Sequence, residues 1–452
     1  MNFEQFHVLG ETIRSELFLA NNDEQKLPQI AACALSRADL ETDLDLNAIG
    51  EFLRTTPVRQ QPQTDFSDLP LVFYRCDTFH VEMLIWTGSS TTIYQHSFSG
   101  AFRVFAGSSL HSEYEFEERQ RISSRLLLGR TRFKNIELLR QGDVRQIVSG
   151  RGGLLHGLFH LDSPSVTLVV RNSIEPWAKP QYSILRPSIA YAHQELETDP
   201  RVVLISRLLK IVGKLDRSQA VNILIEQVPV LDFARLFMLL MRNYELLNRR
   251  EDWKKFLGRA CERHGELADN LIEVLHTAKR ESSVASARGV VVDSDLRFFL
   301  ALLLNGLSRA QIQRLLSDRF PEQDPDSLCV RWLAQLSKFG NESKQNAIFN
   351  LQERAGLARY WFPSRLAAAL PFDPEDFRTE ALLMTLLDGL DEEQMMARLM
   401  GKFSSQEIEA SRTQLLESHA KLKELSELQP LLSRSVCRFG FTNRSAYIFW
   451  PS

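Results

Sequence analysis

The chain has 452 residues, of which 44% are hydrophobic and 25% charged, with 54 Lys and Arg against 57 Asp and Glu for a net charge of −3. That length holds two or three domains of about 100–200 residues each, and the composition excludes a wholly disordered or fibrous chain. The near-neutral balance supplies no general attraction to nucleic acid or to an anionic membrane.

Residues 3–57 carry apolar side chains at helical spacing: Phe3, Phe6, Val8, Leu9, Ile13 and Leu17, then Ile30, Cys33 and Leu35. Asp45 or Asn47 suits the cap of a third short helix that ends before Pro57. We assign residues 1–60 to helices packing on the domain that follows. The first residues carry Glu4 where a signal peptide would carry Lys or Arg. No apolar run approaches the length of about 18 residues that a membrane span needs. A soluble cytoplasmic protein without a membrane partner is the expectation. From Thr55 to Pro70 the chain turns polar and proline-rich and reads as a connector.

Residues 71–171 change character. Short runs of Val, Ile, Phe, Tyr, Trp and Thr are separated by Gly, Ser, Asp and Asn, and nine strands are expected. They fall at 71–74, 80–87, 91–97, 101–105, 113–117, 132–139, 144–148, 154–161 and 165–170. A small antiparallel barrel of the jelly-roll type fits in this space, and we assign it residues 70–186.

From Pro187 the period returns to 3.6, as in the stripe Leu204, Leu208, Ile211 and Leu215, and residues 187–452 read as an all-helical domain. Within it Leu304-Asn305-Gly306-Leu307-Ser308 with Gln311 is echoed 83 residues on by Leu387-Asp388-Gly389-Leu390-Asp391 with Gln394. Gly306 and Gly389 suit left-handed helix ends. Ser308 and Asp391 suit N-caps, with Gln311 and Gln394 completing capping boxes. Two related helix–turn–helix hairpins follow. Their second helices carry only Arg314 and Arg319, or Arg398 and Lys402, so packing units are favoured over a nucleic-acid surface.

Five of the ten histidines (His80, His96, His111, His156 and His160) fall in the barrel segment. Imidazoles converging in one cavity suit Fe(II) or another divalent transition metal. Side chains alternate along a strand, so Tyr94 and His96 share a face, as do His156 and His160, and His111 shares one with Glu113 and Glu115. His80 precedes its strand and reads as a surface residue. His7, His193, His264, His276 and His419 lie outside the barrel without spaced partners and read as solvent-facing. The five cysteines are scattered and never form a CxxC pair, which indicates unpaired thiols and a reducing compartment. No HExxH, GxSxG or P-loop occurs.

Two segments carry a resemblance. One is Phe79-His80-Val81-Glu82-Met83-Leu84-Ile85-Trp86, Gly88-Ser89-Ser90, Ile93-Tyr94-Gln95-His96 and Ala101-Phe102-Arg103-Val104-Phe105-Ala106-Gly107. The other is Gly153-Leu154-Leu155-His156-Gly157-Leu158-Phe159-His160, followed by Pro164-Ser165-Val166-Thr167-Leu168. Together they resemble the two motifs of a cupin, and among cupins they are most similar to the cysteine dioxygenase (thiol dioxygenase) family over about residues 70–175. The resemblance implies iron held by histidines, two of which fall on His96 and His156, with Tyr94 where the family has its first. His111, His160 or Glu113 could complete the set. The cysteine that some members crosslink to tyrosine would fall near Gly100 or Ala101, so that crosslink is absent. Tyr74 and Arg75 stand where a substrate carboxylate would be held, and Tyr94 and Arg75 are the candidate catalytic groups.

The expected protein is thus α+β and multidomain, with N-terminal helices, a cupin-like barrel and an all-α C-terminal domain. Its expected function is metal-dependent, dioxygenase-like chemistry on a small polar substrate such as a thiol or amino acid. The alternative is a non-catalytic cupin that binds a small ligand or a protein partner through its helical domain.

Overall fold

The computed structural model describes residues 3–432 apart from 57–60, 62–65, 88–92, 151, 174, 248, 289–290, 306–307, 343–361, 371, 374–375 and 402. Gly88-Ser89-Ser90, Gly306, Leu307, Lys402 and Cys437 therefore lie outside the described residues. The described chain forms two compact units, one reaching Ala278 and the other beginning at Lys279.

The first unit opens with helices α1 (Glu4–Leu19), α2 (Leu27–Arg37) and α3 (Leu46–Thr55). Asp45 caps α3, its carboxylate accepting from the N–H groups of Asn47 and Ala48 at 2.9 and 3.0 Å. Phe6, Leu9, Ile13 and Leu17 of α1 and Ala31, Ala34 and Leu35 of α2 bury themselves in one cluster with Leu71, Val81, Met83, Phe105, Leu168 and Val170 of the strands. The N-terminal helices thus cover one face of a sheet.

That sheet is antiparallel, with strands β1 (Leu69–Arg75), β2 (Phe79–Trp86), β4 (Gly100–Ala106), β7 (Val144–Ile147) and β9 (Ser165–Asn172) in the order β1-β2-β9-β4-β7. The remaining strands are β3 (Ile93–Gln95), β5 (Ser108–Ser123), β6 (Leu126–Arg140), β8 (Leu155–His160), β10 (Tyr182–Leu185) and β11 (Ile189–Ala192). They close an antiparallel six-stranded barrel in the order β10-β11-β6-β5-β8-β3. This architecture is consistent with a generic cupin or jelly-roll fold. All nine expected strands form. β5 and β6 extend well beyond the expected runs, and β10 and β11 are additional to them. β11 lies where the sequence pattern places the start of the helical region, because two four-residue strands are too short to show a period of two.

Strand alternation splits the barrel side chains into two sets. Ile93, Tyr114, Leu127, Leu155, Ile184 and Ala190 cluster on one face. On the other, Leu139 and Leu158 pack with Leu84, Trp86, Phe102, Val104 and Val169 from the five-stranded sheet. The space between the two sheets is therefore lined by β5, β6 and β8 on one side and by β2, β4 and β9 on the other.

Helices α4 (His193–Glu197), α5 (Pro200–Leu215), α6 (Arg217–Glu226), α7 (Phe233–Asn243), α8 (Arg250–His264) and the start of α9 (Leu267–Arg288) complete this unit. Leu209, Leu236, Phe237 and Phe256 share a core with Leu126, Leu128, Ile189 and Tyr191 of the barrel.

The second unit is helical. Asp391 caps the helix Glu392–Met400, accepting from Gln394 N–H at 2.8 Å, while the Gln394 side chain accepts from Asp391 N–H at 3.2 Å. Gln311 makes the equivalent bond to Ser308 N–H at 3.2 Å, and Gly389 is left-handed with φ +68°. Arg309 donates to the Leu387 carbonyl and pairs with Asp326 at 2.6 Å, linking the two echoing segments. Arg319 pairs with Asp295 at 3.3 Å and lies over the Phe298 ring, and Arg398 is bound to Asp388. These guanidinium groups are engaged within the unit. No helix among the described residues is long and apolar enough to cross a membrane.

Candidate metal centre

Register decides which side chains meet in the space between the sheets. His156 on β8 lies opposite Tyr94 on β3 and Glu113 on β5. One pleat further, His111 lies between Leu158 and Glu137 of β6, and then Ser109 lies between His160 and Leu139. Directly paired residues share a face, so His156, Glu113, His111, Glu137 and His160 all point between the sheets. His96 follows β3 and is buried beside them.

The imidazoles form a chain. His96 Nε2 is 2.9 Å from His156 Nε2, and His156 Nδ1 is 2.9 Å from His111 Nε2. His111 Nδ1 is 2.9 Å from Glu137 Oε1. Glu137 in turn accepts from Arg145 Nε at 2.8 Å and from its Nη2. Because β7 bears Arg145 and β6 bears Glu137, this ion pair ties the edge strand of the five-stranded sheet to the barrel.

Electrostatics fix one end of the chain. His111 and Arg145 hold the Glu137 carboxyl down to about 2, so it accepts. His111 Nδ1 must then donate. A neutral His111 ring would then accept at Nε2 from His156 Nδ1, and His156 Nε2 from His96 Nε2, whereas a cationic one would reverse both bonds. His96 Nδ1 is buried without a hydrogen-bond partner among the described residues. Burial is the main reason that His96 and His156 stay neutral. It pushes His96 down to about 3, helped by the charges of Arg171 and His111, and it holds His156 well below its ordinary value, helped by His96 and His111.

Tyr94 is buried with its ring 4.9 Å from His96 and 5.1 Å from His156, and burial raises its hydroxyl pKa. His160 bonds Ser109 Oγ through Nδ1 at 2.9 Å and stacks on Trp86 at 4.6 Å. It lies one row beyond the chain. Arg75 is exposed at the end of β1. Tyr74 points away, its hydroxyl donating to Glu11 of α1 at 3.0 Å. Arg103 donates to the carbonyls of Leu35 and Ala38 at the end of α2 and so is not free for an anion. His80, expected at the surface, is buried within β2 at 3.4 Å from Glu82, which Arg171 pairs at 2.6 Å. His419, expected in solvent, is buried as well.

Among the described residues one group offers three converging donors: His111, Glu113 and Glu137, with ligand atoms all within 4.8 Å of one another. Two ligands at right angles and about 2.1 Å from an ion sit about 3.0 Å apart, close to the His111–Glu137 separation. A carboxylate has about four lone-pair sites. Ligation by His111 Nδ1 would replace its hydrogen bond to Glu137, which then uses two sites for Arg145 and has two left. The donor set thus fits a divalent ion. Glu137 is the member that the sequence does not single out, although a lone acid between Ile136 and Leu138 in a strand is a signal of an inward charge. No family model and no curated protein matches the chain. Cys33, Cys76, Cys261 and Cys329 are free thiols.

Proposed function

We propose that this protein binds a divalent transition metal between its two sheets, and that the bound form is a dioxygenase-like oxidoreductase for a small polar substrate. The convergence of His111, Glu113 and Glu137 carries the metal reading. One imidazole and two carboxylates suit Fe(II), Mn(II) or Zn(II), and Fe(II) is the choice consistent with the cysteine dioxygenase resemblance. Such an ion supplies Lewis-acid and redox chemistry when bound. The chain's own residues hold and orient it, with Arg145 fixing Glu137, while Trp86, Phe102 and Leu158 keep water out. The rings of His156 and His96 continue the hydrogen-bond chain away from the site.

Metal analysis of untagged protein, reconstituted without oxygen, tests this reading. About one equivalent of a divalent transition metal per chain is expected, and Glu113→Gln with Glu137→Gln should abolish it while the circular dichroism is kept. Absence of stoichiometric metal after incubation with Fe(II), Mn(II) and Zn(II) refutes it. Oxygen uptake with small thiols and amino acids tests the catalytic part.

A second reading has its own observation: the imidazole chain and Glu137 satisfy one another without an ion. On that reading the barrel is a non-catalytic scaffold, and partner binding falls to the helices.

A further inference from the structure

Helix α5 carries its apolar stripe on the wrong side for a core. Val202, Ser206 and Leu209 face inward and are buried. Leu204, Leu208, Ile211 and Leu215 face outward, with 64%, 47%, 60% and 83% of their surface exposed. Their 4-3-4 spacing is that of a coiled-coil seam, alternating d and a positions over two heptads. At 100° per residue the four side chains span about 60° of the helix circumference.

One flank is basic. Arg207, Lys210 and Lys214 line it, Arg201 extends the seam at the preceding a position, and the half-buried Ile205 and Val212 form the other flank; the four basic side chains are exposed and none has an acidic partner among the described residues. We propose that the outer face of α5 is a docking seam for an acidic amphipathic helix of a partner protein, with Leu or Ile at its own a and d positions and Glu or Asp beside them.

Two other occupants fit less well. A second copy packed antiparallel would place Arg207 and Lys214, both at g positions, against their own equivalents, and one packed parallel would set them against the half-buried Ile205 and Val212 at e, with no acidic group to meet them. An anionic lipid surface takes a broad apolar face, about 100° or more across, and this seam is narrower. The inference does not depend on the metal.

The test uses the full chain and a synthetic two-heptad peptide with Leu or Ile at a and d and Glu at e and g, against a scrambled peptide of equal composition. Saturable 1:1 binding of the first peptide alone is expected. Ile211→Glu should weaken it by at least about tenfold, and Arg207→Glu with Lys214→Glu should weaken it and transfer preference to the Lys-flanked version of the peptide. Both variants alter exposed side chains, and circular dichroism verifies that each is folded. The proposal is overturned if the peptide does not bind, or if binding ignores these substitutions. It is also overturned if Ile211→Glu instead dissolves a dimer in sedimentation, or if vesicles of phosphatidylserine and phosphatidylcholine bind the chain through α5 in preference to the peptide.

Discussion

A buried imidazole that stays neutral makes stability depend on pH, because the unfolded chain takes up the proton that the folded one refuses. His96 and His156 both have folded pKa values below the ordinary value near 6.5. Their contribution is fully present above about pH 6.5 and is lost as pH falls toward the folded values. Each adds a slope of up to about 1.4 kcal/mol per pH unit in that window. Glu137 has the same sign but begins only near pH 4.5, since its depressed value lies near 2. In urea unfolding of chelator-treated protein between pH 7.5 and 5, stability should therefore fall, and His96→Gln should have a visibly shallower slope. An unchanged slope would show that His96 is not held neutral. The same residues show what is legible in the sequence. Motif position marks His96 and His156, and face-sharing marks His111 and Glu113. Glu137 emerges only once the β5–β6 register sets it opposite His111, and no spacing rule gives a register across a 26-residue separation.

Strand β4 walls the site through Phe102, whose ring lies 6.0 Å from both His111 and His156. Its first residue, Gly100, is pressed against β9 so closely that an added Cβ would collide with the Val170 carbonyl. Gly100→Ala must open the β4–β9 ladder, at about 1–3 kcal/mol of overpacking cost. The expected outcome is a lower thermal midpoint together with weaker metal binding, and a variant as stable as the parent would contradict the contact. At this scale the runs of β-branched and aromatic residues reveal strands wherever both faces are covered, as in β2 and β9. The outer end of the β5–β6 hairpin hides behind Glu118, Arg119, Gln120 and Arg121 because it leaves the core. For α5 the period is correct but carries no information about which side is buried. A stripe of leucines reads as core until a neighbour is shown to cover it.

The core of the first unit is continuous from the barrel into the helices that follow: Leu126, Leu128, Ile189 and Tyr191 of the strands pack in one cluster with Leu236 and Phe237 of α7. Composition changes from strand-like to helical near residue 187, yet burial does not change there, because an apolar strand edge and an apolar helix face complete each other. Folding cooperativity follows shared burial rather than secondary-structure type. Truncating Phe237 to alanine removes a ring from the middle of that cluster, at a cost of about 3–5 kcal/mol. Hydrogen exchange read by mass spectrometry should then quicken in peptides covering 126–128 and 189–191 of the barrel. Peptides covering 296–303, whose buried side chains belong to the second unit, should keep their protection. Equal acceleration in both regions would mean that the two units unfold as one. Acceleration confined to the helices around Phe237 would mean that the barrel stands without them.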